Sequence, residues 1–201
     1  MSPDSEIIRR SIEVPAAFAE LFERHARVIG AFAARRVGRD AAEDILSETF
    51  LVAFRRRRDF DTSWDSAKPW LLGIASRLIG KHRGKEAAQW RAFAGSSSGA
   101  ETSTDGAIDA AAARTDAAAQ LHALAPRIAA LAARDRDTLL LYAWGDLTYE
   151  QVAAAQGIPV GTVRSRLNRV RRKLAPPGSG PGSGHPRAKE EEANGRLGSR
   201  A

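Results

Sequence analysis

GIPVGTVRSRLNRVRRKL, residues 157–174, carries six cationic side chains and no acidic one. The six are Arg164, Arg166, Arg169, Arg171, Arg172 and Lys173. Like charges at that density repel unless a polyanion neutralises them, and counterion release from nucleic acid drives such binding. Val163, Leu167, Val170 and Leu174 recur in steps of four, three and four, the spacing of one buried helical stripe. Ser165, Asn168, Arg169 and Arg172 then fall on the outward face. Upstream, LTYEQVAAAQG predicts a second helix, with Thr148 as N-cap, Gln151 at the capping-box position and Gly157 as the stop. Val152 and Ala153 face inward. Two helices around a tight turn make a helix-turn-helix. Its second helix presents Thr162, Ser165, Asn168 and Arg169 towards base edges, and Arg164, Arg166, Arg171 and Arg172 towards phosphates. The bland alternative is a solvated basic helix capping a bundle.

Charge elsewhere is uneven. The chain has 201 residues, a formal net charge of +7 and a pI near 10.5, which suits a nucleic-acid partner without proving one. Residues 1–92 carry 17 basic and 13 acidic side chains; residues 118–175 carry nine and four. Between them, residues 93–117 hold one arginine and four acids. That strip includes GSSSGAETSTDG, the composition of a flexible linker, followed by an Ala-rich run from Ala107 to Ala119. The tail from residue 176, rich in Gly, Pro and Ser, cannot bury a core. With no cysteine, neither a disulfide framework nor a thiolate metal site is available. No apolar run suggests a membrane span, and the N-terminus lacks a signal-peptide core, so a cytoplasmic protein is expected. His25, His82, His122 and His185 are scattered without ligand spacing, and no Gly-rich phosphate loop occurs; neither catalysis nor a cofactor nor a metal is expected.

Helical periodicity and the absence of a strand pattern predict an all-α chain of two small helical domains joined by a flexible linker. The expected boundaries are 1–14 for an N-terminal extension, 15–92 for the first domain and 93–119 for the linker. The helix-turn-helix domain is expected at 120–175 and a disordered tail at 176–201. In the first domain, residues 15–37 predict a helix pair or one broken helix buried through Phe18, Leu21, Phe22, Val28, Ile29 and Phe32. DAAEDILSETFLVAFRRRR follows, with Asp40 and Glu43 in capping-box spacing and an inward stripe of Ala42, Ile45, Thr49, Val52 and Ala53. Asp44, Glu48, Leu51 and Arg55 form a separate ridge. It is either a partner surface, with an apolar centre in a charged rim, or the exposed side of a helix buried on two sides. A loop with Thr62, Ser63 and Ser66 leads to Pro69, which starts a helix holding Trp70, Leu71, Ile74 and Leu78. The same helix then carries Arg77, Lys81, His82, Arg83 and Lys85. Aromatics followed by cations suit single-stranded or melting DNA; a core position for Trp70 is the ordinary alternative.

The order of these segments, DAAEDILSETFLVAF, AKPWLLGIASRL, a linker, then RDRDTLLLYAWGDLTYEQVAAAQGIPVGTVRSRLNRVRRKL, resembles a bacterial RNA polymerase sigma factor. The resemblance is to the extracytoplasmic-function (ECF) group of the sigma-70 family, over roughly residues 15–92 and 120–175. It implies core RNA polymerase and promoter DNA as partners, and often, though not always, an anti-sigma factor. The first domain would be region 2, with Asp44, Ser47, Glu48 and Leu51 docking on the β′ clamp helices. Asp61, Thr62, Ser63, Trp70, Arg77, Lys81, His82 and Arg83 would engage the minus-10 element. Residues 120–175 would be region 4, reading the minus-35 element through Thr162, Arg164, Ser165, Arg166, Asn168, Arg169 and Arg172, with another face on the β flap. Arg77 departs from the family, where Asn is frequent, which puts a base-specific contact there in doubt. The rival reading is a helix-turn-helix regulator acting without polymerase; such regulators lack the first block.

Overall fold

Helix α1, Asp4–Glu13, lies in the segment assigned by sequence to an extension, yet Ile7, Ile8 and Ser11 are buried in the first module. Asp4 explains the docking. One carboxylate oxygen accepts from the Ala67 N–H at 2.8 Å and from His25 Nε2 at 2.6 Å; the other accepts from Arg24 Nη1 at 2.5 Å. These contacts reach across 20 to 63 residues, so α1 is part of the bundle. The computed structural model describes residues 2–95 and 124–175; the expected tail and the linker beyond residue 95 lie outside them.

After a 3-10 turn at Pro15–Phe18, α2 runs Ala19–Val37 and buries Leu21, His25, Ile29, Phe32, Ala33 and Arg36 on one face. Phe22 and Val28, expected in that face, are 44% and 39% exposed. Phe22 sits one position off the stripe and meets Phe50 edge-on at 4.8 Å instead. Helix α3, Arg39–Arg55, packs on α2 and buries Ala42, Ile45, Thr49 and Ala53 as expected. The Asp40–Glu43 capping box does not form. Gly38, at φ 82°, occupies the N-cap, and Asp40 already stands in the first turn, where its charge favours the helix N-terminus.

Helix α4, Lys68–Lys81, opens with Pro69 in its first turn and packs on α2 and α3. It is buried nearly all round, from Leu71 through Ser76 and again at Leu78 and Ile79. A one-faced helix would not read so; α4 is central. The expected single basic helix ends at Lys81. His82 is its C-cap, and α5, Arg83–Gly95, sets off separately and runs three residues into the expected linker.

The second module begins with helical residues 124–129 (α6), then α7, Ala133–Ala143, α8, Tyr149–Gln156, and α9, Val160–Leu174. The capping box is complete: Gln151 N–H donates to Thr148 Oγ1 at 3.3 Å and Thr148 N–H to Gln151 Oε1 at 2.9 Å. Gly157 adopts φ 66°, ψ 43°, and Ile158 N–H returns to Ala153 O while Gly157 N–H returns to Ala154 O. That is a Schellman stop, and it aims α9 across α8. No strand occurs among the described residues.

The two modules touch. Helix α8 packs on α4, where a Cβ at Gly73 would lie 2.3 Å from the Ala155 carbonyl oxygen. Arg36 is fully buried at the junction. Its Nε and Nη2 donate to Glu86 Oε1 at 2.9 and 2.5 Å, its Nη1 to Ser76 Oγ at 3.1 Å, and its Nη2 also to Asp137 Oδ1 at 2.5 Å. Arg136 Nη2 donates to the other Glu86 oxygen at 3.1 Å. Beside this network Trp90 stacks on Trp144, with centroids 5.7 Å apart.

Candidate nucleic-acid and polymerase interfaces

Burying Val163, Leu167 and Val170 against α7 and α8 turns the rest of α9 outward. Arg164, Ser165, Asn168, Arg169 and Arg172 are exposed and Thr162 is half-buried, so six of the seven expected contacts share an accessible face. Several are held in place. Arg169 Nη1 donates to the buried Asp135 at 2.9 Å, and Arg171 donates to Asn168 Oδ1 and Tyr149 Oη at 3.1 and 2.9 Å. Arg166 differs. It turns to the inner side and donates to Gln156 Oε1 at 3.2 Å and Thr138 Oγ1 at 3.4 Å. Helix periodicity places it between the faces, and the polar pair on α7 and α8 draws it inward.

In the first module, Asp61, Thr62 and Ser63 form an exposed loop before α4. The Ser63 hydroxyl and its N–H, the latter 3.0 Å from Asp61 Oδ1, hold the Asp61 carboxyl below the usual carboxylate range. The turn is therefore preformed and anionic. Trp70 is half-buried and tilted against Phe60 at 5.2 Å, joining a core contact to a partly open face. Arg77 and Lys81 are exposed but line a cleft of about 480 Å³ between the modules, facing Arg134, Gln156 and Arg166. Arg77 Nη2 donates across it to Ala155 O at 3.1 Å. His82 is half-buried at the α4–α5 break, and Arg83 begins α5. The minus-10 set is thus split: the loop and Trp70 lie at the N-terminal end of α4, and the cations at its C-terminal end.

On α3, Asp44, Ser47, Glu48 and Leu51 are all exposed, Leu51 by 47%. A large exposed apolar side chain beside two acids has the make-up of a docking site.

Two family patterns match: "Sigma-70 region 2" over residues 21–89 and "Sigma-70, region 4" over residues 121–174. The ECF RNA polymerase sigma factor SigC of Mycobacterium tuberculosis is 34% identical over 134 residues, 67% of this chain and 68% of SigC. CarQ, an RNA polymerase sigma factor of Myxococcus xanthus, is 31% identical over 160 residues, covering 79% and 87%. The chain belongs to the ECF group of the sigma-70 family.

As a sigma factor it binds core RNA polymerase and directs promoter recognition and transcription initiation; the regulator acting without polymerase is not favoured. Solved structures agree on the fold. CnrH, in complex with the cytosolic domain of CnrY, superposes with a TM-score of 0.54 at 22% identity, over 85% of this chain and 94% of that one. RpoE of Bartonella quintana, in complex with the anti-sigma factor NepR, gives 0.53 at 23%, over 78% and 93%. No helix among the described residues is long and apolar enough to cross a membrane. Sequence reasoning missed the buried charges of the sigma factor, Asp4, Arg36, Glu86 and Asp135, and the half-buried Asp137 that pairs with Arg36. Their partners lie far away in sequence, and the only local hint was an arginine at the stripe position of α2.

Proposed function

We propose that this sigma factor acts by binding alone, with its two modules reading two promoter elements while a third surface holds the polymerase. The observation that carries the division of labour is the coexistence of two exposed surfaces of opposite charge in one chain. The Asp44–Glu48–Leu51 ridge is acidic around an apolar centre, and α9 is cationic. The first suits a basic and apolar protein surface, the β′ clamp helices. The second suits a phosphate-lined groove, the minus-35 element. The 61–68 loop and Trp70 would hold an unstacked base of the minus-10 element, and Arg77, Lys81, His82 and Arg83 the adjoining backbone. Strand opening then follows from tighter binding of unstacked than of paired DNA.

Tethering both modules to one polymerase makes them a bivalent reader, so each can bind weakly alone. Residues 15–92 and 120–175 are the units assigned to these roles, joined by the acidic 93–119 linker. Work beside polymerase places the protein in the cytoplasm. An anti-sigma partner belongs to the same reading, supported by the complex in which RpoE was solved.

The test is reconstitution. The purified chain should co-elute with core polymerase in gel filtration, and transcripts made in vitro with the pair should start at a defined set of promoters. A stable free homodimer that ignores polymerase would refute the assignment.

A further inference from the structure

Asp4 grips the end of the 61–68 loop twice. Its backbone N–H, at the start of α1 and without an intrahelical acceptor, donates to the Asp65 carbonyl at 2.9 Å. Its carboxylate Oδ2 accepts from the N–H of Ala67, the N-cap of α4, at 2.8 Å. The carboxylate thus sits where two helices begin, a place that favours negative charge. Neither oxygen is free to swing away. From α2, His25 Nε2 holds Oδ2 at 2.6 Å and Arg24 Nη1 holds Oδ1 at 2.5 Å. Arg24 Nη1 also donates to the Ser2 carbonyl at 2.9 Å, which secures the start of α1. Asp4 is 2% exposed and Ala67 fully buried, whereas Asp61, Thr62, Ser63 and Asp65 are exposed.

The other end of the loop is fixed as well. Phe60 is buried beside Trp70, with ring centroids 5.2 Å apart, and the Ser63 N–H closes on Asp61 Oδ1 at 3.0 Å. Residues 61–66 are therefore strung between two fixed points. An exposed loop loses conformational freedom when it grips a ligand, and fixing its ends beforehand removes part of that cost. We propose that Asp4 is a positioning residue for minus-10 reading: held by Arg24 and His25, it clamps the Asp65 carbonyl and the Ala67 N–H, so that the loop meets an unstacked base already in shape. This builds on the assignment of the loop to the minus-10 element. Asp4 touches no DNA itself and acts through the backbone of Asp65 and Ala67. Helix α1, placed by sequence in an extension, thereby serves base reading.

Asp4→Ala removes the carboxylate and keeps the backbone N–H. Asp4→Asn keeps one acceptor oxygen, should show the same changes to a lesser degree, and stands in if the alanine variant does not fold. Ile45→Val, a core truncation on α3 outside α1 and the loop, controls for lost stability. Two measurements are made. Hydrogen exchange of the free protein should quicken about fivefold or more in the 60–68 segment of Asp4→Ala, and not in Ile45→Val. The holoenzyme with core polymerase is then bound to the nontemplate strand of a promoter located by reconstituted transcription, spanning the minus-10 element, and to the same strand with those bases scrambled. The ratio of the two affinities does not depend on the folded fraction, so a merely structural role leaves it alone. It should fall about fivefold or more in Asp4→Ala, the size of one lost base contact, and hold in Ile45→Val.

Unchanged exchange in the 60–68 segment of both Asp4 variants would overturn the clamp. Faster exchange with an unchanged ratio would overturn positioning. Asp61→Ala, inside the loop, separates that failure from failure of the minus-10 assignment. If Asp61→Ala lowers the ratio and Asp4→Ala does not, the loop reads without help from Asp4. If neither lowers it, the loop is not the reader, and positioning falls with the assignment.

Discussion

Arg169 shows how one side chain serves fold and reading together. Its guanidinium is half-exposed on α9 and bonded to Asp135, a carboxylate buried at the start of α7. The pair fixes the direction of a side chain that otherwise has many rotamers, and a fixed fork is what base recognition needs. Arg169→Ala should therefore cost about 1–3 kcal/mol on the cognate minus-35 duplex and little on random duplex. Arg172→Ala, further along the exposed face, should weaken both equally and lower the salt slope by about one. Competition binding at several salt concentrations separates the two patterns; equal loss on all sequences for Arg169→Ala would reassign it to phosphate. Asp4 makes a second residue-scale case. Burial works to raise its carboxyl, but His25, the Ala67 N–H and Arg24 outweigh that and lower it to about 2. A depressed carboxylate stabilises the fold fully above its ordinary value near 3.8 and loses that contribution as pH falls towards 2. About 1–2 kcal/mol should disappear across that window, after allowance for solvent screening. Denaturation midpoints from pH 5 down to pH 2 should fall more steeply for wild type than for Asp4→Asn.

At the scale of elements, legibility depends on whether a signal is local. The α8 cap was readable because Thr148, Gln151 and Gly157 act on backbone groups within a few residues. The same spacing at Asp40 and Glu43 misled, because Gly38 with its positive φ ended α2 and started α3 two residues earlier. Stripe periodicity gave most of the buried faces of α3 and α9 but erred on α2 at Phe22 and Val28. Helix α1 was passed over because its docking depends on Asp4 meeting Ala67, which no local pattern announces. The α3 ridge was legible as a spacing and ambiguous as a role. Its exposure leaves Leu51 as an apolar group with no intramolecular reason to be there. Leu51→Asp should thus leave thermal stability within about 0.5 kcal/mol, as surface changes usually do. It should weaken co-elution with core polymerase at least about tenfold, the loss expected of a central anchor. A variant that still co-elutes at wild-type concentration would move the polymerase contact elsewhere.

On the scale of the molecule, the sequence divided the chain into two helical units with no sign that they touch. One clue was present, a glycine at position 73 in the middle of α4. Its meaning needed the partner at Ala155, 82 positions away in the numbering. The contact has a thermodynamic consequence. Region 4 comprises roughly fifty described residues, small for a module that must stand alone. Packed on α4 and tied through Asp137 to the buried Arg36, it shares the core of region 2, and the wild-type chain should unfold in one calorimetric transition. Gly73→Ala should divide that transition. The region 2 component keeps its temperature or rises slightly, since an interior Gly→Ala change favours a helix by up to about 1 kcal/mol. The region 4 component, deprived of its support, should move several degrees lower. Differential scanning calorimetry at neutral pH reads both. A single peak at lower temperature would mean that alanine damages region 2 itself, whereas a single unmoved peak would mean that the modules never shared a core in solution.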